Sequence, residues 1–289
     1  MKNYLLAIRP KTLTASAGPI ILGLFLAYSH LGYLNIPVAL ITLFCTLFMQ
    51  IGTNLVNDYF DFKRGVDNST RLGPARAVAA KLLTARQVQI FYRLCFFLSF
   101  SLGIYLMYQG GAPIIILGLL SLLTAYCYTG GPLPLSHFGL GELLAFLFFG
   151  PVAVWGTYYL QTKTHSNLAI ILGLGPGFIS ATIMGINNLR DETSDRMAHK
   201  KTLAVFFGKE KMKVFLMLLI LFSGLVPIWY GTLYSKVLAI LPVLVLVLFS
   251  GNWKRIYFGP VDAALNQSLA KTGIYLFLYG IIFGMVLIL

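Results

Sequence analysis

A chain of 289 residues with 58% hydrophobic and only 11% charged side chains has too few polar residues to cover the surface of a soluble globular protein. The formal net charge of +13 does not indicate nucleic-acid binding, because the basic residues lie in the short gaps between apolar runs and not on one amphipathic surface. Repeated apolar runs of about twenty residues are instead typical of a polytopic α-helical membrane protein.

The apolar runs predict an all-α bundle of about nine membrane-spanning helices. The predicted spans cover residues 13–30, 36–57, 88–108, 112–128, 139–160, 167–188, 213–233, 236–251 and 272–289. The first span is interpreted as an uncleaved helix and not as a signal peptide, because many spans follow it. The sixth contains the sequence Gly-Leu-Gly-Pro-Gly at 173–177, which predicts a kink or a close helix contact.

Positive charge is distributed unequally between the two sets of loops. Of the 22 Lys and Arg residues, 20 lie at the N-terminus or in the stretches 57–93, 189–213 and 252–271, whereas the other side holds only Lys163 and Lys236. By the positive-inside rule, the N-terminus and the long loops face the cytoplasm. All nine acidic residues are assigned to the same side. The sequence therefore predicts a multi-pass protein of the cell (inner) membrane with a cytoplasm-facing site.

A cluster of polar residues ends the second apolar run. Asn54, Asn57, Asp58 and Asp61 are three and four residues apart, so they lie on one face of a helix. Burying amide and carboxylate oxygens at the end of an apolar helix is costly unless a cation or hydrogen-bond donors meet them. The cluster therefore predicts a positively charged ligand at this point.

A second cluster repeats this pattern at the end of the sixth run, with Asn187, Asn188, Asp191 and Asp195. Two facing carboxylate clusters repel each other unless divalent cations lie between them. Hard oxygen ligands suit Mg²⁺, which shares its remaining positions with water and substrate phosphates. Lys and Arg residues follow both clusters and supply charge for phosphate groups. The two clusters together predict a magnesium-bound diphosphate, and the apolar bundle behind them favours one with a long hydrocarbon tail.

These residues also resemble a known family. Asn57–Asp67, followed by Arg71–Pro74, resembles the first Asp-rich motif of the UbiA-type intramembrane aromatic prenyltransferases, and Asp191–Asp195 resembles the second. The stretches most similar to the branch that prenylates 1,4-dihydroxy-2-naphthoate in menaquinone biosynthesis are Arg9–Leu13, Tyr128–Pro132, Gly139–Glu142, Phe149–Pro151 and Asn187–Asp191. The resemblance extends to about residue 208.

The resemblance implies a UbiA-type bundle, forming a single transmembrane prenyltransferase domain over residues 1–289, with a central cavity for an isoprenoid diphosphate, an aromatic acid and Mg²⁺. The implied metal ligands are Asn54, Asn57, Asp58, Asp61, Asp191 and Asp195. The implied substrate-binding residues are Arg9, Lys63, Arg64, Arg71, Arg190, Lys200 and Lys201, of which Arg9 and Arg190 are candidates for the carboxylate of the acceptor. The implied catalytic residues are Asn57, Asp61, Asp191, Asp195 and Tyr128.

Aromatic rings stabilise a nearby cation by about 0.5–2 kcal/mol. Tyr59, Phe60 and Tyr158 are therefore further candidates to face an allylic cation, although Tyr128 is preferred for its position before a glycine turn.

The sequence departs from the family pattern at two positions, and it leaves three alternatives for the acceptor or the function open. Thr193 stands where the family commonly has an acid, and Lys201 stands in a stretch that usually contains arginine. The acceptor is alternatively 4-hydroxybenzoate or homogentisate. A transporter for divalent cations or organic phosphates is a third alternative, which the near absence of charge from the predicted bilayer midplane disfavours. The roles of Asp67, Glu142 and Glu192 are left open.

Overall fold

The computed structural model describes residues 2–65, 72–74, 76–132 and 134–289, with the side chains of Lys2 and Lys11 excepted, and these ranges contain helices and no strands. The α-helices are α1 (Lys2–Ile8), α2 (Pro10–Leu31), α3 (Ile36–Lys63), α4 (Ala85–Cys127), α5 (Gly141–Phe148), α6 (Pro151–Thr162), α7 (Asn167–Met197), α8 (Leu203–Phe207), α9 (Lys209–Leu233), α10 (Leu241–Leu248), α11 (Ser250–Phe258) and α12 (Leu265–Ile288). Short 3-10 turns lie at Leu135–Phe138 and Val237–Ile240. The prediction of an all-α membrane bundle is confirmed.

Helix α4 crosses the membrane twice. Its 43 residues would span about 65 Å as one straight helix, roughly twice the hydrocarbon thickness of a bilayer. Gly111 interrupts it with φ 64° and ψ −155°, a backbone conformation that favours glycine. A Cβ built on Gly118 would lie 2.9 Å from Cε of Met107, so the two arms fold back on each other. They correspond to the predicted spans 88–108 and 112–128.

The remaining crossings follow the predicted order. Gly141–Thr162, which contains α5 and α6, is one span, and α10 and α11 form a broken span bent by 46°. With the arms of α4 counted separately, the described residues contain nine crossings, in agreement with the prediction.

Close contacts between small residues hold neighbouring spans together. Helix α7 continues through Pro176, and a Cβ on Gly173 would lie 2.6 Å from Cα of Pro151 in α6. A Cβ on Gly280 would similarly lie 2.9 Å from Cα of Gly18, where α12 meets α2. Lipid provides no hydrophobic force between spans, so dispersion contacts at such glycines stabilise the bundle instead. The close contact predicted at the Gly-Leu-Gly-Pro-Gly sequence is confirmed.

This packing brings the ends of α3 and α7 together. Both helices carry their Asp residues in their last turns, and both contribute to the lining of one central cavity. We call the end of the bundle that contains Asp61 and Asp191 the acidic end. Helix α2 starts at the same end, because the side-chain amide of Asn54 donates to Ile8 O and Thr12 Oγ1, both at 3.1 Å.

Candidate active site

The central cavity has a volume of about 330 Å³ and is lined by helices α2 to α7 and by Leu269 of α12. The predicted site residues that line it are Arg9, Asn54, Asn57, Asp61, Tyr128, Asp191, Asp195 and Lys200. The structure therefore brings the two predicted clusters to one space, although they are 130 residues apart in sequence. Such a shared cavity is what binding of one ligand by both clusters requires.

Asp61 is the most deeply buried acid of the cavity wall, with 1% exposure. Its Oδ2 lies 3.2 Å from Nη2 of Arg76, and Oδ1 has no hydrogen-bond partner among the described residues. Arg76 is itself buried and lines the cavity. In the sequence, nothing distinguishes Arg76 from the other basic residues that follow the first cluster.

Asp58 takes a different role from its neighbour. Its two carboxylate oxygens accept hydrogen bonds from the backbone N–H groups of Ala77 at 2.8 Å and Val78 at 3.2 Å. It is 1% exposed and does not line the cavity. Because these bonds fix the backbone directly after Arg76, Asp58 anchors the loop that carries this arginine. To bind a metal ion, as predicted, Asp58 would have to give up its hydrogen bonds to these two amides.

Arg190 holds the second cluster in position. Its guanidinium donates to both carboxylate oxygens of Asp191, at 2.9 and 2.6 Å, and to the side-chain oxygens of Asn187 and Asn266 at 2.8 and 2.6 Å. Arg190 is 3% exposed and does not line the cavity. To bind the acceptor carboxylate, as predicted, it would have to give up one of these bonds.

Lys200 provides the cation beside Asp195, with Nζ 3.5 Å from Oδ1. Burial alone lowers the pKa of Lys200, but the carboxylates of Asp61, Asp195 and Asp191 outweigh this and raise it above its ordinary value. Burial, with a smaller contribution from Lys200, lowers the pKa of His137 to about 4. The acidic end therefore contains a permanently charged lysine and a neutral histidine near neutral pH.

Tyr128 begins the loop that follows α4. Its hydroxyl group donates to Sδ of Met184 at 3.0 Å. Burial, together with the carboxylates of Glu142, Asp61 and Asp195, raises the pKa of Tyr128 far above its ordinary value. Tyr128 is therefore a neutral phenol that lines the cavity beside three carboxylates.

The other predicted binding residues lie around the acidic end. Arg64 donates to the carbonyl oxygens of Thr129 and Gly131 and lies 5.2 Å from the ring centroid of Phe60, so it joins α3 to the loop after α4. Lys63 and Lys201 are exposed. Arg71 and Asp67 lie outside the described residues.

Two of the aromatic candidates are placed by their ring contacts. Tyr59 packs against Phe60 and Tyr92, in the cluster of buried residues between α1, α3 and α4. The Tyr158 hydroxyl lies 2.5 Å from Nδ1 of His30, at the end of the bundle opposite the acidic end. The interpretation of Tyr158 as a partner for an allylic cation is therefore wrong, because Tyr158 lies near the end of its span that leads to Lys163, away from both acidic clusters.

Two further acids, whose roles the sequence left open, are buried. Glu142 accepts a hydrogen bond from the side-chain amide of Asn188 at 2.9 Å and thereby orients an asparagine that lines the cavity. Glu192 pairs with Arg196 at 2.5 Å and with Lys209 at 3.8 Å. Both acids therefore organise α7 from outside the cavity.

The donor atoms of the cavity fit magnesium in combination with a phosphate ligand. In the part of the chain that the structure describes, no three His, Cys, Asp or Glu side chains form a metal site by themselves. The cavity does offer carboxylate and amide oxygens from Asn57, Asp61, Asp191 and Asp195, including the unpartnered buried Oδ1 of Asp61. Mg²⁺ usually takes one or two carboxylates and completes its shell with phosphate and water oxygens.

Comparisons with known proteins identify the family of this chain. The chain matches the UbiA prenyltransferase family over residues 16–283. It is 34% identical to the 1,4-dihydroxy-2-naphthoate octaprenyltransferase of Haemophilus influenzae, covering 74% of this chain and 72% of that protein. The protein of the same name from Mycobacterium tuberculosis is also 34% identical, covering 76% and 73%.

A solved structure shares the fold. It is a UbiA homolog from Archaeoglobus fulgidus bound to GPP and Mg²⁺, with a TM-score of 0.67, 16% identity and 99% of both chains covered.

Proposed function

Because the chain belongs to the UbiA prenyltransferase family, we propose that it transfers a polyprenyl chain from a polyprenyl diphosphate to 1,4-dihydroxy-2-naphthoate. Diphosphate and CO₂ are released, and the product is a demethylmenaquinol. The observation that carries this proposal is the single cavity that both acidic clusters line and that continues between apolar helices. The names of the relatives support the choice of acceptor.

Magnesium is the proposed cofactor, and Asn57, Asp61, Asp191 and Asp195 would hold it, with Asn54 as a further oxygen donor. When bound, it neutralises the charge that develops on the departing diphosphate. The magnesium in the A. fulgidus homolog supports this assignment.

The cations of the cavity wall would bind the diphosphate. Arg76 and Lys200 both line the cavity and both lie beside a carboxylate. A guanidinium binds phosphate oxygens in a bidentate manner, and an ammonium group acts as a compact positive charge. These two residues therefore hold the leaving group at the acidic end, where it departs from the first carbon of the prenyl chain.

The rest of the cavity protects the allylic cation. Water would convert this cation to an alcohol, so the site must exclude it. The ring of Tyr128 offers a polarisable face, worth about 0.5–2 kcal/mol toward a cation. Because its pKa is raised, Tyr128 stays protonated and does not itself capture the cation.

We place the acidic end at the cytoplasmic face of the cell membrane. The support is the concentration of Lys and Arg in the segments at that end. A water-soluble aromatic acid and Mg²⁺ then reach the site from the cytoplasm, and the isoprenoid reaches it from the lipid.

The test measures prenylated product by mass in membranes supplied with Mg²⁺, a polyprenyl diphosphate and either dihydroxynaphthoate or 4-hydroxybenzoate. We expect Asp61→Asn and Asp191→Asn to lower the rate by at least about a hundredfold, as the loss of electrostatic stabilisation of a leaving group does. Glu210→Gln changes an exposed acid and is the matched control.

Two results would contradict the proposal. Rates of the two Asp variants within a few-fold of the parent would exclude the metal assignment. Product from 4-hydroxybenzoate alone would exclude the naphthoate acceptor.

A further inference from the structure

Polar side chains continue along the cavity beyond the acidic end. Ser16 of α2, Gln50 of α3 and Ser180 of α7 all line it. The two serines are 1% and 5% exposed, and neither Oγ atom has a hydrogen-bond partner among the described residues. Buried hydroxyl groups are normally paired, so two unpaired ones in a cavity wall indicate a polar ligand.

The threonines of the same wall behave differently. The hydroxyl groups of Thr42, Thr46 and Thr53 donate to the carbonyl oxygen one turn earlier in α3, at 2.8, 2.9 and 2.9 Å. Their donor capacity is used within the helix, as is usual for hydroxyl side chains in a membrane span. Ser16 and Ser180 make no such bond, although both lie inside helices.

The three polar residues lie at one depth. Ser180 precedes Asp191 by 11 positions and Gln50 precedes Asp61 by 11 positions, so each lies about 16 Å along its helix from the carboxylate.

Ser16 reaches the same depth by a different route. Thr12 is level with Asn54, to which it is hydrogen-bonded, and Asn54 lies about 10 Å from Asp61 along α3. Ser16 lies one helical turn deeper than Thr12. Three helices therefore place a polar side chain on the cavity wall at the same level, which we call the polar level (Ser16, Gln50, Ser180).

Other lining residues at about this depth are apolar. They include Leu117 and Gly118 of α4 and Val152 and Ala153 of α6. A polyprenyl chain satisfies these residues but provides no partner for the hydroxyl and amide groups of the polar level. The polar level therefore indicates a second, partly polar ligand beside the hydrocarbon.

We propose that the polar level binds the ring hydroxyl of the aromatic acceptor that is farthest from the diphosphate. This inference rests on the proposed function. The reacting ring carbon must approach the first carbon of the prenyl chain to about 3–3.5 Å, and that carbon adjoins the diphosphate at the acidic end. The acceptor then extends from there into the cavity, with its far edge toward the polar level. A phenolic hydroxyl donates to an amide oxygen and accepts from a serine, which is what Gln50 and the two serines provide.

The experiment compares Ser16→Ala, Gln50→Leu and Ser180→Ala with the parent in proteoliposomes containing Mg²⁺. Thr46→Val is the matched control, because it removes a hydroxyl from the same wall that is already paired within α3. The KM of each substrate is measured separately, with dihydroxynaphthoate and 1-hydroxy-2-naphthoate as alternative acceptors. The thermal midpoint of each ligand-free variant is measured as well.

We expect the three variants to raise the KM of dihydroxynaphthoate by about tenfold or more, because a site that hydrogen-bonds a hydroxyl loses affinity when the partner is removed. They should also lose the parent's preference for the dihydroxy acceptor over 1-hydroxy-2-naphthoate. The KM of the donor and the thermal midpoints should stay at the parent values, as should both acceptor constants of Thr46→Val.

Three results would overturn the inference: an unchanged acceptor KM in all three variants, an equal rise in donor and acceptor KM, or a preserved preference between the acceptors. If the parent transfers the prenyl chain to neither naphthoate, the proposed function itself fails, which is a different outcome.

Discussion

Arg76→Met is expected to destabilise the metal-free protein and to make its stability depend on magnesium. Nη2 of Arg76 lies 3.2 Å from Oδ2 of Asp61, and the two side chains are 6% and 2% exposed. Methionine keeps an unbranched apolar side chain but removes the charge. Asp61 then remains as a buried carboxylate without the cation that compensates it.

The size of the effect follows from this burial. Removing one partner of a buried ion pair typically costs about 3–5 kcal/mol. Lys200 also interacts with Asp61 and remains in the variant, so the cost lies near the lower bound, about 3 kcal/mol. With an unfolding entropy of about 2.1 cal/mol/K per residue, such a loss lowers the thermal midpoint of this 289-residue chain by about 5 °C.

The assay follows thermal unfolding in detergent by tryptophan fluorescence, first in EDTA and then with Mg²⁺. Bound metal replaces the missing positive charge beside Asp61, so the deficit of Arg76→Met should shrink in the second condition. Arg86→Met is the control, because Arg86 is exposed at the start of α4. The reasoning would be refuted if Arg76→Met and the parent had the same thermal midpoint in EDTA. It would also be refuted if adding metal raised the thermal midpoints of both proteins by the same amount.

Two other substitutions test the anchor of the loop and the length of the cavity. Asp58→Asn should lower the stability by about 1–3 kcal/mol, because it weakens hydrogen bonds to two buried backbone amides. The Mg²⁺ concentration for half-maximal activity should stay at the parent value, and a marked rise would contradict a role of Asp58 confined to the loop. Gly103→Leu should slow the use of octaprenyl diphosphate but not of geranyl diphosphate. Gly103 lines the cavity beside Cys45, which lies about 24 Å along α3 from Asp61 at the acidic end. A Cβ on Gly103 would have only one close neighbour, Sγ of Cys45 at 3.9 Å, so the leucine side chain would fill open space at this depth. Ser101→Leu on the exposed face of the same arm is its control, and equal slowing of both donors would contradict this placement of the chain.

Local sequence features predict the spans and their order well. Apolar runs report burial in lipid directly, and a glycine followed by a proline at 111–113 marks the turn between the arms of α4. The same locality places both acidic clusters at the ends of their helices. Helix packing decides whether these two helix ends meet. In the sequence, only the repeated pattern of Asn and Asp residues indicates that they do.

The partner of each charged residue is not predictable in this way. Asp58 and Asp61 lie on the same side of α3, yet one binds backbone amides and the other lines the cavity. Seven basic residues occur in the stretch 57–93, and the sequence does not indicate that Arg76 reaches Asp61. The resemblance implies a substrate-binding role for Arg190, but the sequence does not indicate that its guanidinium donates four hydrogen bonds to Asp191, Asn187 and Asn266.

These pairings explain how acids from two helices share one buried space. Asp61, Asp191 and Asp195 each lie beside a cation, in Arg76, Arg190 and Lys200. The pairs offset the mutual repulsion of the carboxylates.

The three cations are not equivalent in what they can do next. Arg190 lies outside the cavity wall and donates hydrogen bonds to Asn187 and Asn266 as well as to Asp191. Arg76 and Lys200 line the cavity themselves. In the proposed reaction these two cations would contact the diphosphate, whereas Arg190 would keep Asp191 in place. Lysine cannot replace the two bonds from Arg190 to the Asp191 carboxylate, so Arg190→Lys should displace Asp191 and thereby weaken metal binding. This loss is expected although Arg76 and Lys200 are unchanged in the variant.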